Sequence, residues 1–157
     1  EALACFAGEP MIGRSTLADC PAIYRLICGL EGEEFPYRQF EEVFRRQQES
    51  GGYICLVARW EGRVAGVLNL RIEGQLHHCG SVAEIMELAV DPACRGKGIG
   101  GALLAKAWAE AKQRECLVLE VASAGHRDRA HGFYLRHGLE QTHKKFSVPL
   151  AQKLKVK

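Results

Sequence analysis

A chain of 157 residues fits within the roughly 100–200 expected of one domain, so a single folded domain over residues 11–157 is expected. Hydrophobic residues at 47% and charged residues at 25% exclude general disorder, and a formal net charge of +2 lacks the concentrated basic footprint of nucleic-acid binders. Apolar stretches such as Val64–Leu68 and Ile99–Ala105 fall far short of the ~20 residues that cross a bilayer, so no membrane or nucleic-acid partner is expected.

Residues 1–10 show no basic-then-apolar signal pattern and read as a leader or expression remnant. Thr16 can cap a helix from Leu17 to about Cys28, whose apolar positions Ala22, Ile23, Leu26 and Ile27 follow the helical period. A more polar helix follows over Tyr37–Gln48. The β-rich runs Tyr53–Trp60 and Arg63–Ile72 are joined by Glu61-Gly62, which predicts a tight antiparallel hairpin. Ser81–Val90 is a third such strand, and Gly98–Arg114 a helix with Leu103, Leu104, Ala107, Trp108 and Ala111 on one face. Leu117–Val121 reads as a strand, Arg129–His137 as a short helix and Leu139–Pro149 as one or two closing strands. The order β-α-α-β-β-β-α-β-α-β predicts an α/β fold with a mixed, mostly antiparallel sheet.

Seven cysteines are an odd number and contain no Cys-x-x-Cys pair, which points to free thiols in a reducing cytoplasm and excludes a zinc ribbon or redox pair.

Arg95-Gly96-Lys97-Gly98-Ile99-Gly100-Gly101 lies directly after a strand and at the start of a helix. Such a loop brings backbone N–H groups close to an anion, and the helix dipole and two cationic side chains add favourable potential, so a pyrophosphate fits there. The alternative role is a turn that lets helix and strand pack closely. Neither the P-loop nor the dinucleotide-fingerprint spacing is found. The segment instead resembles the Arg/Gln-x-x-Gly-x-Gly/Ala signature of the GNAT superfamily of N-acetyltransferases, with Arg95, Gly98 and Gly100 at its fixed positions. Glu87–Pro92 and Phe133–Gly138 are similar to that superfamily as well. Ala22–Leu30, Leu76–His78, Glu84–Glu87, Arg127–Arg136 and Glu140-Gln141 further resemble the aminoalkylphosphonate N-acetyltransferases.

That resemblance implies the GNAT fold, with acetyl-CoA held in an opening between the fourth and fifth strands. It implies that the backbone of Leu88, Ala89 and Val90 binds pantetheine and the acetyl carbonyl. Arg95, Gly96, Lys97, Gly98, Ile99, Gly100 and Gly101 would bind the pyrophosphate.

The acceptor amine must lose a proton to attack, so a nearby carboxylate is the natural base. Glu84 and Glu87, three positions apart in one strand, point to opposite faces and so cannot both serve one amine, unless a bulge intervenes. The resemblance puts the base at Glu84, with Glu87 second and Glu120 third; the alternative for each is a solvated or salt-bridged strand residue. Tyr134 reads from spacing alone as a core aromatic, and the resemblance makes it the acid that protonates the leaving thiolate. His77 and His78, as adjacent strand residues, face opposite ways and cannot chelate one ion, although either can reach the acceptor. Arg127 and His131 flank the last helix, where Arg suits a phosphonate oxyanion; a solvated helix start is the alternative. A ping-pong route through Cys94 is chemically open, whereas the resemblance implies direct transfer.

The expected activity is acetyl transfer from acetyl-CoA to the primary amine of a small molecule, with an aminoalkylphosphonate as the specific acceptor. The alternatives are an aminoglycoside or polyamine acceptor, and a non-catalytic domain that senses acetyl-CoA. The need for a divalent metal and the formation of a homodimer stay open on sequence alone.

Overall fold

A computed structural model describes residues 8–156. Most of the proposed leader, residues 1–7, therefore lies outside the described residues. Two compact units divide the chain between Val121 and Ala122.

The first unit is built on a five-stranded sheet in the order β1-β2-β3-β4-β5, formed by Met11–Arg14, Tyr53–Trp60, Arg63–Gln75, Gly80–Val90 and Leu119–Val121. The first three pairings are antiparallel and β4 with β5 is parallel. The mixed sheet expected from the element order is thus found. Glu61 and Gly62, at φ 50° and 79°, take the two left-handed positions that a two-residue hairpin turn of matching twist requires.

Helices α1 (Cys20–Glu31) and α2 (Tyr37–Glu49) cover one face of the sheet. Cys20, Ile23 and Phe44 pack there with Cys55, Val57, Val67 and Ala89. A turn of 3-10 helix at Leu17–Asp19 precedes α1, so the α-helix starts later than Thr16 predicts. The alternating strand residues Ile54, Leu56, Leu68 and Leu70 are equally buried and face the other way. There α3 (Ile99–Gln113) buries Ile99, Leu103, Leu104, Ala107 and Ala111. Gly66 sets the closeness of that packing, because an added Cβ would stand 2.9 Å from Ile99 and 3.0 Å from Leu103.

The second unit contains α4 (Asp128–Arg136), which ends with Gly138 at φ 88° and Leu139 N–H donating to the Tyr134 carbonyl. No strand forms over 139–149, contrary to the sequence expectation. A strand needs a neighbouring edge and a buried apolar set, and the alternating Phe146 and Val148 are both exposed beside Lys144 and Lys145.

Candidate active site

β4 determines where the chemically useful groups stand. Along β3 its register runs Arg71 with Glu84, Leu70 with Ile85, and then Asn69 with Glu87, so Met86 is an extra residue in a β-bulge. Two residues of β3 are thus matched by three of β4. The bulge resets the alternation and turns Glu84 and Glu87 to the same face of the sheet, correcting the expectation that they diverge. Glu120 joins them, because it pairs in register with Glu84.

Each of the two β4 glutamates has its own donor on β3. Arg71 Nη2 reaches Glu84 Oε2 at 2.8 Å and also bonds Glu73 at 3.2 Å. Asn69 Nδ2 donates to Glu87 Oε2 at 2.9 Å. Burial pushes the Glu87 carboxyl above its ordinary value; the Asn69 hydrogen bond opposes this, and the negative charge of Glu31 at the end of α1 adds to it. The face is therefore rich in carboxylates, with Arg71 as the cation among them, and suits a substrate ammonium group.

β5 pairs with β4 only as far as Ile85 with Val121, whereas β4 runs on to Val90. Among the described residues, Met86–Val90 have no strand partner on that edge. Their unpaired backbone groups adjoin the bulge and can hydrogen-bond an extended ligand such as a pantetheine arm. After Asp91 and a short turn at Pro92–Cys94, Gly96 (φ 79°) and Gly98 (φ 74°) take left-handed conformations, with open space where a side chain would project. The first helical bond of α3 is Ala102 N–H to the Gly98 carbonyl at 3.0 Å, so the N–H groups of Ile99, Gly100 and Gly101 precede the helical ladder and suit an anion. Loop and edge together fit a ligand with an anionic pyrophosphate and an extended amide-bearing arm, as acetyl-CoA has.

Lys97 is not directed wholly to that loop: its Nζ sits 5.1 Å from the centre of the Trp60 ring. Arg63, just past the hairpin turn, donates to Cys94 Sγ at 3.3 Å and lies 3.7 Å from Asp91. Cys94 is 2% exposed, which leaves its sulfur no access to an incoming acyl group. Trp60, Asn69 and Arg71 were not evident as site residues in the sequence, although a lone Asn within the apolar run Val64–Leu70 is a detectable signal.

His77 and His78 lie in a 3-10 turn between β3 and β4, not in a strand. Cys79 turns the chain with φ 51°, and the two rings meet with centres 4.2 Å apart instead of facing opposite ways. His78 Nδ1 is 2.9 Å from Gln75 Oε1. Among the described residues no group of His, Cys, Asp and Glu is arranged to hold a metal ion, and no helix is long and apolar enough to cross a membrane.

In the second unit, Arg127 occupies the N-cap of α4 and His131 Nε2 is 2.9 Å from the Ala124 carbonyl. Tyr134 packs edge-on to Phe133 at 5.4 Å. Burial pushes its phenol above the ordinary value, against the pull of the Arg127 guanidinium.

Residues 20–139 match the acetyltransferase (GNAT) family. The chain is 36% identical over 136 residues to an aminoalkylphosphonate N-acetyltransferase of Salmonella typhimurium, spanning 87% of this chain and 88% of the relative. Among solved structures, a transcriptional regulator from Bacillus halodurans superposes with a TM-score of 0.83 at 21% identity, over 90% of this chain and 100% of the other. An aminoglycoside acetyltransferase from an uncultured soil sample gives 0.78 at 21% identity, over 90% and 96%. These two share the fold.

Proposed function

The chain belongs to the GNAT family of acetyltransferases, and from that premise we propose that it transfers the acetyl group of acetyl-CoA to the primary amine of an aminoalkylphosphonate in the cytoplasm, by direct attack within a ternary complex. One observation carries the reading of the site: the bulge at Met86, which gathers Glu84 and Glu87 on one face where β4 continues beyond β5. Similarity to the Salmonella enzyme supports the acceptor class.

When bound, acetyl-CoA supplies an activated acyl group as a thioester. The backbone of Leu88, Ala89 and Val90 binds the pantetheine arm and steadies the negative charge that builds on the acetyl oxygen, a role that preorganised N–H donors perform without reorganising. The loop from Arg95 to Gly101 holds the pyrophosphate. The β4 carboxylates attract the acceptor's ammonium group and take its proton, so that the nitrogen lone pair is released for attack. Glu84 stands first by the family resemblance; the raised proton affinity of Glu87 supports it as the second reading. Tyr134 gives its phenolic proton to the departing sulfur, and burial favours the protonated phenol that this requires. Arg127 and His131 are assigned to the phosphonate end of the acceptor, and His77 and His78 to the outer part of the acceptor pocket.

The carboxylate row Glu73, Glu84, Glu87 and Glu120 also suits a polycation, which supports an aminoglycoside or polyamine as the second acceptor class. A panel of these amines with acetyl-CoA, read by free-thiol release, tests the proposal. The fastest turnover is expected with the aminoalkylphosphonate.

A further inference from the structure

We propose that Asn69, anchored by Gln47, is a positioning residue that holds and tunes Glu87 as the proton acceptor of the transfer. The inference rests on the acetyltransferase reading of the site with Glu87, the second of the two β4 assignments, as its base, and deepens it. Asn69 is 7% exposed and sits on β3 between Leu68 and Leu70, which are fully buried. An amide there is costly unless it is hydrogen-bonded. Nδ2 donates to Glu87 Oε2 and to Gln47 Oε1, each at 2.9 Å. Oδ1 is buried and meets no donor.

This arrangement fixes the amide's orientation. Rotating it by half a turn would set Oδ1 against the Glu87 carboxylate, which when ionised has no proton to donate. Filling the space alone would call for an apolar residue, as at Val67, on the same face of β3, and would leave no carbonyl unmet. What Asn69 adds is a neutral donor aimed at one carboxylate.

The surroundings of Glu87 explain the need for it. Glu31 comes from the end of α1 and Cys55 from β2, while Glu84 and Arg71 share its face across the bulge and Gln47 approaches from α2. Cys55 has its thiol pushed up to about 11, mainly by burial, and stays neutral. Burial and Glu31 disfavour a charge on Glu87, and Asn69 favours it. Losing the donor would raise the carboxyl's proton affinity further, and a cationic donor in its place would lower it. Gln47 keeps the donor from swinging away and so ties α2 to the proton-transfer step.

The test compares Asn69→Leu and Gln47→Leu with the parent protein by two readouts: the pH profile of kcat/KM with the best amine of the panel, and the carbon-13 carboxyl resonance of Glu87 followed through its titration. For Asn69→Leu, the lower break of the profile and the resonance midpoint should both move up, by roughly half a pH unit or more. Gln47→Leu keeps the donor and should shift both the same way by less. An unchanged midpoint in Asn69→Leu, or a midpoint that moves while the break does not, would overturn the proposal. If that variant does not fold, an unchanged Gln47→Leu does so. A parent that releases no thiol with any amine would overturn the acetyltransferase reading instead, and the resonance would still report whether Asn69 controls Glu87.

Discussion

Glu84 and Glu87 lie on one face of the sheet because Met86 is an added residue in β4, between the partner of Leu70 and the partner of Asn69. In an unbulged strand one of the two would point toward the apolar packing around α3. The bulge thus brings two things to a single point: a second carboxylate on the face of Glu84, and irregular backbone beside the unpaired edge. Removing Met86 should disable catalysis by turning one glutamate to the wrong face.

Glu87→Gln separates catalysis from stability. Gln still accepts from Asn69 but cannot take a proton, so kcat/KM should fall by roughly 10²-fold, as for loss of a general base. A carboxyl whose proton affinity is raised on folding destabilises the fold in its ionised form. That contribution is absent well below the ordinary value of 4.5 and grows as pH rises through the raised one. At neutral pH the variant should therefore melt no lower than the parent. Glu84→Gln is the matched comparison: if it alone abolishes turnover, Glu84 is the base and Glu87 serves to bind the ammonium.

Gly98→Ala should weaken acetyl-CoA binding through the backbone alone. There is space for the methyl group, but φ is 74°, and a non-glycine residue held in such a region costs about 1–3 kcal/mol. Relief of that strain would redirect the loop, with an expected loss of at least about tenfold in affinity, or ~1.4 kcal/mol. Calorimetry on the folded variant reads this directly; unchanged affinity would remove the loop from the ligand site.

Tyr134→Phe keeps the ring and deletes one oxygen. Packing against Phe133 persists, so the melting temperature should change little, while kcat at saturating acetyl-CoA should fall by something like 10²-fold. Because burial raises the phenol above its ordinary value of 10.0, activity in the parent should hold into the alkaline range before the acid is lost. Equal kcat in the two proteins would make Tyr134 a packing residue only.

Asp19→Ala tests the frame rather than the site. Asp19 is 7% exposed, accepts from Arg59 Nη2 at 2.8 Å and from the Thr16 backbone N–H at 2.9 Å, and so joins the start of α1 to β2. Its loss removes both bonds, and because Thr16 and Arg59 reach water it should cost about 1 kcal/mol, seen as a lower melting temperature with little change in KM for either substrate.

Local patterns made most of the sheet and its helices legible. Glu61-Gly62 specifies its turn through conformational preference, and the period of Leu103, Leu104, Ala107 and Ala111 marks the buried side of α3. What escaped depends on pairing between distant residues. A bulge at Met86 leaves no mark in β4 itself, because it is defined by the register against β3. Asn69 and Arg71 likewise gain their roles only when Glu87 and Glu84 arrive opposite them. The histidine pair reads as strand because Cys79, a non-glycine residue in the left-handed region, gives no sign of a turn in the sequence. Residues 139–149 alternate weakly enough to suggest a strand, yet alternation does not provide an edge to pair with.

The most direct test of the account is thiol release from acetyl-CoA with an aminoalkylphosphonate, with the corresponding alkylamine lacking the phosphonate, and with an aminoglycoside and a polyamine, each with and without divalent metal. The account predicts amine-dependent release with the highest kcat/KM for the aminoalkylphosphonate. Acetyl-CoA binding without release for any amine would contradict it and make the chain a cofactor-sensing domain.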